Sequence, residues 1–109
     1  MTSDGTKKDE SLTPIEKSFT SLIQQYLSLL LHDNATFLAE RMVAHSPTPH
    51  STYLLAMCHF RCGSPKRARS VLIPYTNYHG PMADCIMYLL AKCCIDLNQF
   101  HEAEEYLLQ

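Results

Sequence analysis

The sequence has no tryptophan, only 3 glycines and no large excess of charge of either sign. Its 9 Lys and Arg residues against 11 Asp and Glu residues give a formal net charge of -2, which is not typical of a nucleic-acid-binding protein or of an acidic tail. No hydrophobic run approaches the roughly 20 residues of a membrane-spanning helix. The first residues lack the apolar segment of a signal peptide. We therefore expect neither a membrane protein nor a secreted one.

The composition that is present favours one folded domain. The 109 residues are 46% hydrophobic and 18% charged, which is enough apolar material for a core. The 5 cysteines are an odd number and include the adjacent pair Cys93-Cys94, unlike a secreted disulfide framework. We expect reduced thiols in an intracellular compartment, and no cofactor.

Proline and glycine positions divide the chain into six predicted helices. Residues 1–12 are polar and predict a disordered leader. Thr13, Pro14 and Glu16 form the pattern of a capping box, which starts the first helix. The second is predicted to start near Asp33, and the others to cover about 50–62, 65–73, 82–97 and 100 to the end. Gly63 and Asn98 suit left-handed helix ends, Ser64 suits a helix cap, and no segment alternates as a strand does.

An internal repeat is the strongest signal in the sequence. When residues 53–73 are laid over residues 88–108, 35 positions later, seven of the 21 pairs are identical. A fainter copy lies 33 positions before the first. A period of 33 to 35 residues made of two helices is typical of tetratricopeptide (TPR) repeats. The sequence therefore predicts an all-α, right-handed α-solenoid of TPR helix-turn-helix repeats.

The predicted array covers residues 13–109. Its first repeat spans about 15–48, its second about 49–81, and its third, which is incomplete, about 82–109. Small or apolar residues recur where the two helices of a repeat approach each other. We assign repeat packing to nine residues: Leu22, Tyr26, Ala35, Leu55, Ala56, Ala68, Leu90, Ala91 and Ala103. Ile23 occupies the position at which the later repeats carry the small residues Ala56 and Ala91.

Two segments are more specific than the TPR pattern. They run from Ala35 to Met42, containing Phe37-Leu-Ala-Glu-Arg41, and from Tyr88 to Leu97, reading Tyr88-Leu-Leu-Ala-Lys-Cys-Cys-Ile-Asp-Leu97. Together with Tyr53-Leu-Leu-Ala-Met-Cys58, they resemble the N-terminal region of the cell division cycle protein 27 family, a subunit of the anaphase-promoting complex. The resemblance covers about residues 15–109.

The resemblance implies a scaffold and not an enzyme. Members of that family are long TPR superhelices in a nuclear ubiquitin ligase of the mitotic cell cycle, and their N-terminal repeats form homodimers. The resemblance thus implies a homodimer, other subunits of the complex as partners, and a nuclear and cytoplasmic location. The family's later repeats receive the tails of activator proteins, and this chain ends before them.

The first predicted helix carries apolar residues on more than one face, and this pattern has two interpretations. Its residues are buried under the second helix and the next repeat, or they form a second surface shared with a partner. A dimer interface is the hypothesis we attach to the second reading, and its residues are Phe19, Ile23, Leu27, Leu30 and Leu31.

Other functions have weaker support in the sequence. Cys58, Cys62 and His59 lack the spacing of a zinc site, and Cys58 and Cys93 share one repeat position that packing explains. No pattern for nucleophilic catalysis or phosphate binding is present. A small basic cluster, Arg61, Lys66, Arg67 and Arg69, aligns partly with glutamates one repeat later. We expect these charges to be complementary within the chain or at an interface, and we expect no nucleic-acid partner. The alternative function is a general TPR adaptor that binds a short peptide in its concave groove.

Overall fold

The computed structural model describes residues 12–108 of the chain. The predicted leader therefore lies outside the described residues, except for Leu12. Every regular element in the described part is helical. The elements are α1 (Pro14–Ser28), α2 (His32–His45), α3 (Pro49–Arg61), α4 (Pro65–Leu72), a 3-10 turn (Ile73–Tyr75), α5 (Ala83–Asp96) and α6 (Phe100–Leu107).

Capping boxes start two of the helices. At α1, the Thr13 hydroxyl accepts from the Glu16 backbone N–H at 3.1 Å, and the Glu16 carboxylate accepts from the Thr13 N–H at 2.9 Å. This box was predicted. Thr48 and Ser51 form a second box at α3, with Pro49 as the first helical residue. Ser64 is the N-cap residue of α4 and Pro65 its first residue, as predicted, although the Ser64 hydroxyl makes no capping hydrogen bond.

The helices α1, α3 and α5, each the first of its repeat, end in the same way. Gly63 and Asn98 have φ values of 81° and 62°, as predicted. Leu30, one repeat before Gly63, also has φ 62°, which was not predicted. In all three turns, the backbone N–H of the next residue donates a hydrogen bond to the carbonyl five residues earlier. The donors and acceptors are Leu31 and Tyr26, Ser64 and His59, and Gln99 and Cys94. This is the Schellman bond, which satisfies carbonyls left open at a helix end.

The core is a series of clusters along the stack. The first lies between α1, α2 and α3, and the second between α3, α4 and α5. Met57 and Val71 pack against both. A third small cluster, Ala91, Cys94 and Ala103, joins α5 to α6. Each helix packs on the next in the chain, so the prediction of an all-α helical-repeat solenoid is confirmed.

Candidate interaction surface

The first helix buries one face against the rest of the chain. Ile23 is fully buried and Leu27 is 6% exposed, and both belong to the first core cluster. Tyr26 and Phe19 are partly buried and pack against the same cluster. Ile23 is the large equivalent of the small buried residues Ala56 in α3 and Ala91 in α5.

This burial corrects part of the predicted dimer interface. Ile23 and Leu27 do not lie on the surface, so a partner chain cannot contact them without unfolding the first repeat. Phe19 remains partly accessible, and Leu30 and Leu31 are exposed. The sequence alone could not separate the two faces, since apolar residues cover more than half of the helix circumference.

A second apolar stripe on α1 faces away from the core. Ile15, Leu22 and Leu29 are each seven residues apart, and they are 54%, 38% and 59% exposed. An apolar groove of about 330 Å³ lies along the first half of this stripe, lined by Pro14, Ile15, Ser18, Phe19 and Leu22. Among the described residues, no charged side chain lines the groove. Aliphatic exposure of this kind on one helix is typical of a protein interaction site.

The turn after α1 adds a protruding apolar corner. Leu30 is 74% exposed, and its left-handed backbone costs a leucine roughly 1–2 kcal/mol relative to the right-handed region. Leu31 beside it is also exposed. The corresponding residues of the later repeats, Gly63 and Asn98, belong to the types that adopt this backbone readily. A leucine here combines backbone strain with exposed apolar surface.

The residues assigned to repeat packing are buried with two departures. Leu22 is exposed although it aligns with Leu55 and Leu90, and Tyr26 is half-buried. Leu22 thus does not fill the space between the helices of the first repeat, which corrects that assignment. The other seven are buried: Ala35, Leu55, Ala56, Ala68, Leu90, Ala91 and Ala103.

Polar contacts hold the start of α1 against the α2–α3 connection. The Ser46 hydroxyl donates to the buried Glu16 carboxylate. This bond, together with the bond from the Thr13 N–H, holds the pKa of Glu16 below its usual value. Thr20 on the next turn of α1 hydrogen-bonds the His50 ring at 3.1 Å. Burial lowers the pKa of His50, which keeps its ring neutral near pH 7.

The cysteines do not form a reactive centre. Burial raises the pKa of Cys58 to about 12 and that of Cys93 to about 11, so both thiols stay protonated at neutral pH. Cys94 is buried, whereas Cys62 and Cys85 are exposed. Among the residues with described positions, no group of three or more His, Cys, Asp or Glu side chains is arranged to hold a metal ion.

An ion pair joins the second helices of neighbouring repeats. The Arg69 guanidinium donates to the Glu102 carboxylate at 2.9 Å, across α4 and α6. Part of the basic cluster is therefore neutralised within the chain. No helix between residues 12 and 108 is both long enough and apolar enough to cross a membrane.

Comparison with known proteins gives consistent matches. The cell division cycle protein 27 homologs of Homo sapiens and Mus musculus are each 33% identical over 96 residues, which is 88% of this chain and 11% of each relative. Protein bimA of Emericella nidulans is 33% identical over 91 residues, 83% of this chain and 11% of that protein. The chain thus spans about a tenth of the length of these curated relatives.

A family profile matches most of the chain. The family described as anaphase-promoting complex, cyclosome, subunit 3 matches residues 29–109. All three segments that carried the resemblance, residues 35–42, 53–58 and 88–97, lie inside this match. The chain belongs to the family of anaphase-promoting complex, cyclosome, subunit 3.

Proposed function

We propose that this chain is a non-catalytic scaffold and dimerisation module of the anaphase-promoting complex, a ubiquitin ligase of the mitotic cell cycle. Three TPR repeats with the predicted boundaries, the third incomplete, form the module. The single observation that carries the proposal is the exposed apolar stripe on α1, on a chain that belongs to a subunit family of that complex. Its partners are a second copy of itself and other subunits, in the nucleus and cytoplasm.

The stripe has the symmetry that a two-fold dimer requires. Ile15 and Leu29 lie seven residues before and after Leu22, about 10 Å along the helix on each side. If two α1 helices pack antiparallel with the two-fold axis at Leu22, each Ile15 faces Leu29 of the second copy. The same residues then serve both sides, as in every isologous interface.

The groove and the corner complement each other in that arrangement. The groove lies on the first half of α1, and the protruding leucines follow its second half. Antiparallel packing brings the corner of each copy to the groove of the other. Leu29 and Leu30 thereby leave water, which offsets the cost of the left-handed Leu30 backbone.

The buried thiols support a non-catalytic role. A nucleophilic cysteine needs an accessible thiolate, and the high pKa values of Cys58 and Cys93 oppose one. The work of the module in this proposal is to hold two copies of a larger chain in a defined orientation.

The proposal is tested by the mass of the 12.4 kDa chain in solution. Sedimentation equilibrium at micromolar concentration is expected to give twice the chain mass. Leu22→Glu buries a charge at the two-fold axis and is expected to shift the protein to monomer without loss of helix content. Gln24→Glu, an exposed position on the same helix, is the matched control and leaves the dimer intact.

Disulfide cross-linking tests the antiparallel arrangement separately. In a chain whose exposed Cys62 and Cys85 are replaced by serine, Leu22→Cys is expected to form a linked dimer on mild oxidation. Gln24→Cys is expected to stay unlinked. A dimer by mass that cross-links through Gln24→Cys and not through Leu22→Cys would retain the dimer and refute the arrangement.

The alternative, a peptide-binding TPR adaptor, has less support. Lys92 on α5 lies 5.1 Å from the Phe60 ring and 5.5 Å from the Tyr88 ring, so its charge is already engaged by two aromatic faces. A single lysine in that position makes a weak carboxylate clamp. A chain that stays monomeric and soluble at high concentration would favour the adaptor over the dimerisation module.

A further inference from the structure

Four of the six prolines in the chain directly follow a residue with a hydroxyl group. The pairs are Thr13-Pro14, Ser46-Pro47, Thr48-Pro49 and Ser64-Pro65. Proline fixes its own backbone φ and has no N–H, so the chain after each hydroxyl residue has a restricted shape that an enzyme can recognise. The four pairs differ in what the hydroxyl group does in the folded chain.

Three of the four hydroxyl groups are engaged within the fold. The Thr13 hydroxyl accepts from the Glu16 N–H in the capping box of α1. The Ser46 hydroxyl donates to the Glu16 carboxylate. The Thr48 hydroxyl accepts from the Ser51 N–H at 3.1 Å in the capping box of α3. A bulky group on any of these three oxygens would break a hydrogen bond that starts a helix or satisfies a buried carboxylate.

The Ser64 hydroxyl is free. It makes no capping hydrogen bond and no other side-chain hydrogen bond within residues 12–108. The buried side-chain atoms that lack a partner in this part of the chain belong to Arg69 and Gln99, so the unpaired Ser64 oxygen is accessible to solvent. Ser64 lines a surface cleft of about 340 Å³ where α2, α3 and α4 meet. Its oxygen can therefore be modified without the loss of an internal hydrogen bond.

Basic side chains follow the Ser64-Pro65 pair. Lys66 and Arg67 are the second and third residues after Ser64, and both are exposed. In the described part of the chain neither forms a salt bridge, whereas Arg69 pairs with Glu102. The other three pairs have no lysine or arginine at these two places. The segment from Ser64 to Arg67 thus offers two free cations to an acidic surface of a partner.

The turn that carries Ser64 opens at low cost. The Ser64 N–H donates to the His59 carbonyl at 2.9 Å, and the Ser64 carbonyl accepts from the Ala68 N–H at 3.1 Å. The first N–H groups of a helix have no acceptor within the helix, and Pro65 has no N–H. Extending this segment in an enzyme groove therefore breaks fewer backbone hydrogen bonds than the same change in the middle of a helix.

We propose that Ser64 is a phosphorylation site for a serine kinase whose groove accepts proline after the serine and binds the two following cations with acidic side chains. The Ser64 oxygen attacks the γ-phosphorus of ATP, and the bond from that phosphorus to the β–γ bridging oxygen breaks. ADP leaves, and the serine proton passes to a carboxylate of the kinase. The product carries a charge of about -1.5 to -2 at pH 7 beside Lys66 and Arg67.

A phosphate on Ser64 changes the charge of this corner and not the fold. Arg61, Lys66 and Arg67 give the corner three positive charges before modification, and the phosphate offsets about two of them. Negative charge at the start of α4 is also favoured by the helix dipole. The inference is independent of the proposed dimer, because Ser64 lies in the α3–α4 turn and not on the apolar stripe of α1.

Incubation of the whole chain with a purified proline-directed serine/threonine kinase and ATP tests the proposal. Fragmentation mass spectrometry is expected to place the first phosphate on Ser64, with at least ten-fold slower modification of Thr13, Ser46 and Thr48. A peptide of residues 58–70 is the reference substrate. The proposal is overturned if the kinase ignores this peptide, if it modifies the peptide and not the folded chain, or if the first phosphate appears at another pair.

Variants test which side chains the kinase recognises. Ser64→Ala removes an oxygen that makes no hydrogen bond, so it is expected to abolish the first phosphate without lowering the Tm. Pro65→Ala and Arg67→Gln are expected to slow modification of Ser64 at least ten-fold and three-fold. Arg61→Gln removes an exposed charge that precedes Ser64 and is the matched control, with an unchanged rate. Unchanged rates in Pro65→Ala and Arg67→Gln would refute the kinase class that we propose.

Discussion

The first repeat and the later repeats place different side chains at the same positions. Leu22 is 38% exposed, whereas its equivalents Leu55 and Leu90 are 9% and 0% exposed. The buried position next to it holds Ile23 in α1, but Ala56 in α3 and Ala91 in α5. Leu55 packs in the cluster that joins α3 to α1 and α2, and Leu90 packs in the cluster that joins α5 to α3 and α4, whereas the described residues include no helix before α1.

The comparison shows that a repeat position does not have a fixed environment. Stacking decides it, because each repeat is covered by its neighbours. The helix at the start of the array keeps an apolar face that the equivalent helices bury within the chain. That face is where we place the second copy.

Exchanging the large and small residues is the strongest test of this difference. Ile23→Ala opens a cavity and is expected to lower the free energy of unfolding by about 2–5 kcal/mol. Ala56→Ile crowds the interface of α3 and is expected to cost about 1–3 kcal/mol. Urea denaturation at one fixed protomer concentration measures both, with exposed Gln24→Ala as the control, expected within about 0.5 kcal/mol. An Ala56→Ile chain as stable as the original would show that the cluster around Ala56 has room for a large side chain.

The Glu16–Ser46 contact is made at the first repeat, and Pro49 stands at the position equivalent to Glu16 in the second repeat. Ser46→Ala removes the donor to a buried carboxylate and is expected to cost about 1.5–3 kcal/mol at pH 7. Because the folded-state pKa of Glu16 is lowered, its contribution is present above the unfolded pKa and is lost as pH falls through the folded value. The difference between variant and original should therefore shrink below about pH 4.

Chemical denaturation from pH 7 to pH 3 measures this trend. The control is Ser70→Ala, whose exposed hydroxyl bonds a carbonyl of its own helix at 3.0 Å. Its effect should be small and independent of pH. A Ser46→Ala penalty that stays constant down to pH 3 would contradict the role given to the Glu16 carboxylate.

Substitutions in the left-handed turns are expected to change the free energy of unfolding least. Gly63→Leu places a side chain on a residue with φ 81°, and no atom lies within 4 Å of the new Cβ. The left-handed backbone alone is therefore expected to lower the free energy of unfolding, by about 1–2 kcal/mol. Leu30→Gly is expected to stabilise the folded monomer by about 1 kcal/mol or less, for the same reason. Thermal unfolding of both variants, measured in the Leu22→Glu background, checks the opposite signs. Destabilisation by Leu30→Gly in that background would show that the Leu30 side chain contributes to the monomer fold.

Local signals in the sequence were sufficient for the helices and their ends. The capping box at Thr13 and the left-handed ends at Gly63 and Asn98 depend on residues within one turn of each other. The repeat of 33 to 35 residues predicted the helical array, because a recurring spacing of apolar residues produces the same pair of helices in each repeat. Leu30 was missed since leucine has no preference for a left-handed backbone, although its alignment with Gly63 could have revealed it.

The choice of the buried face of α1 required the three-dimensional packing. Ile23 and Leu22 are adjacent and equally apolar, so periodicity cannot rank them, and the contacts of α2 and α3 make the choice. Glu16 and Ser46 are 30 residues apart in the sequence. The helices, the repeat and the resemblance to the family follow from patterns in the sequence. The exposed stripe and the buried carboxylate depend on distances between residues far apart in the chain, which packing alone sets.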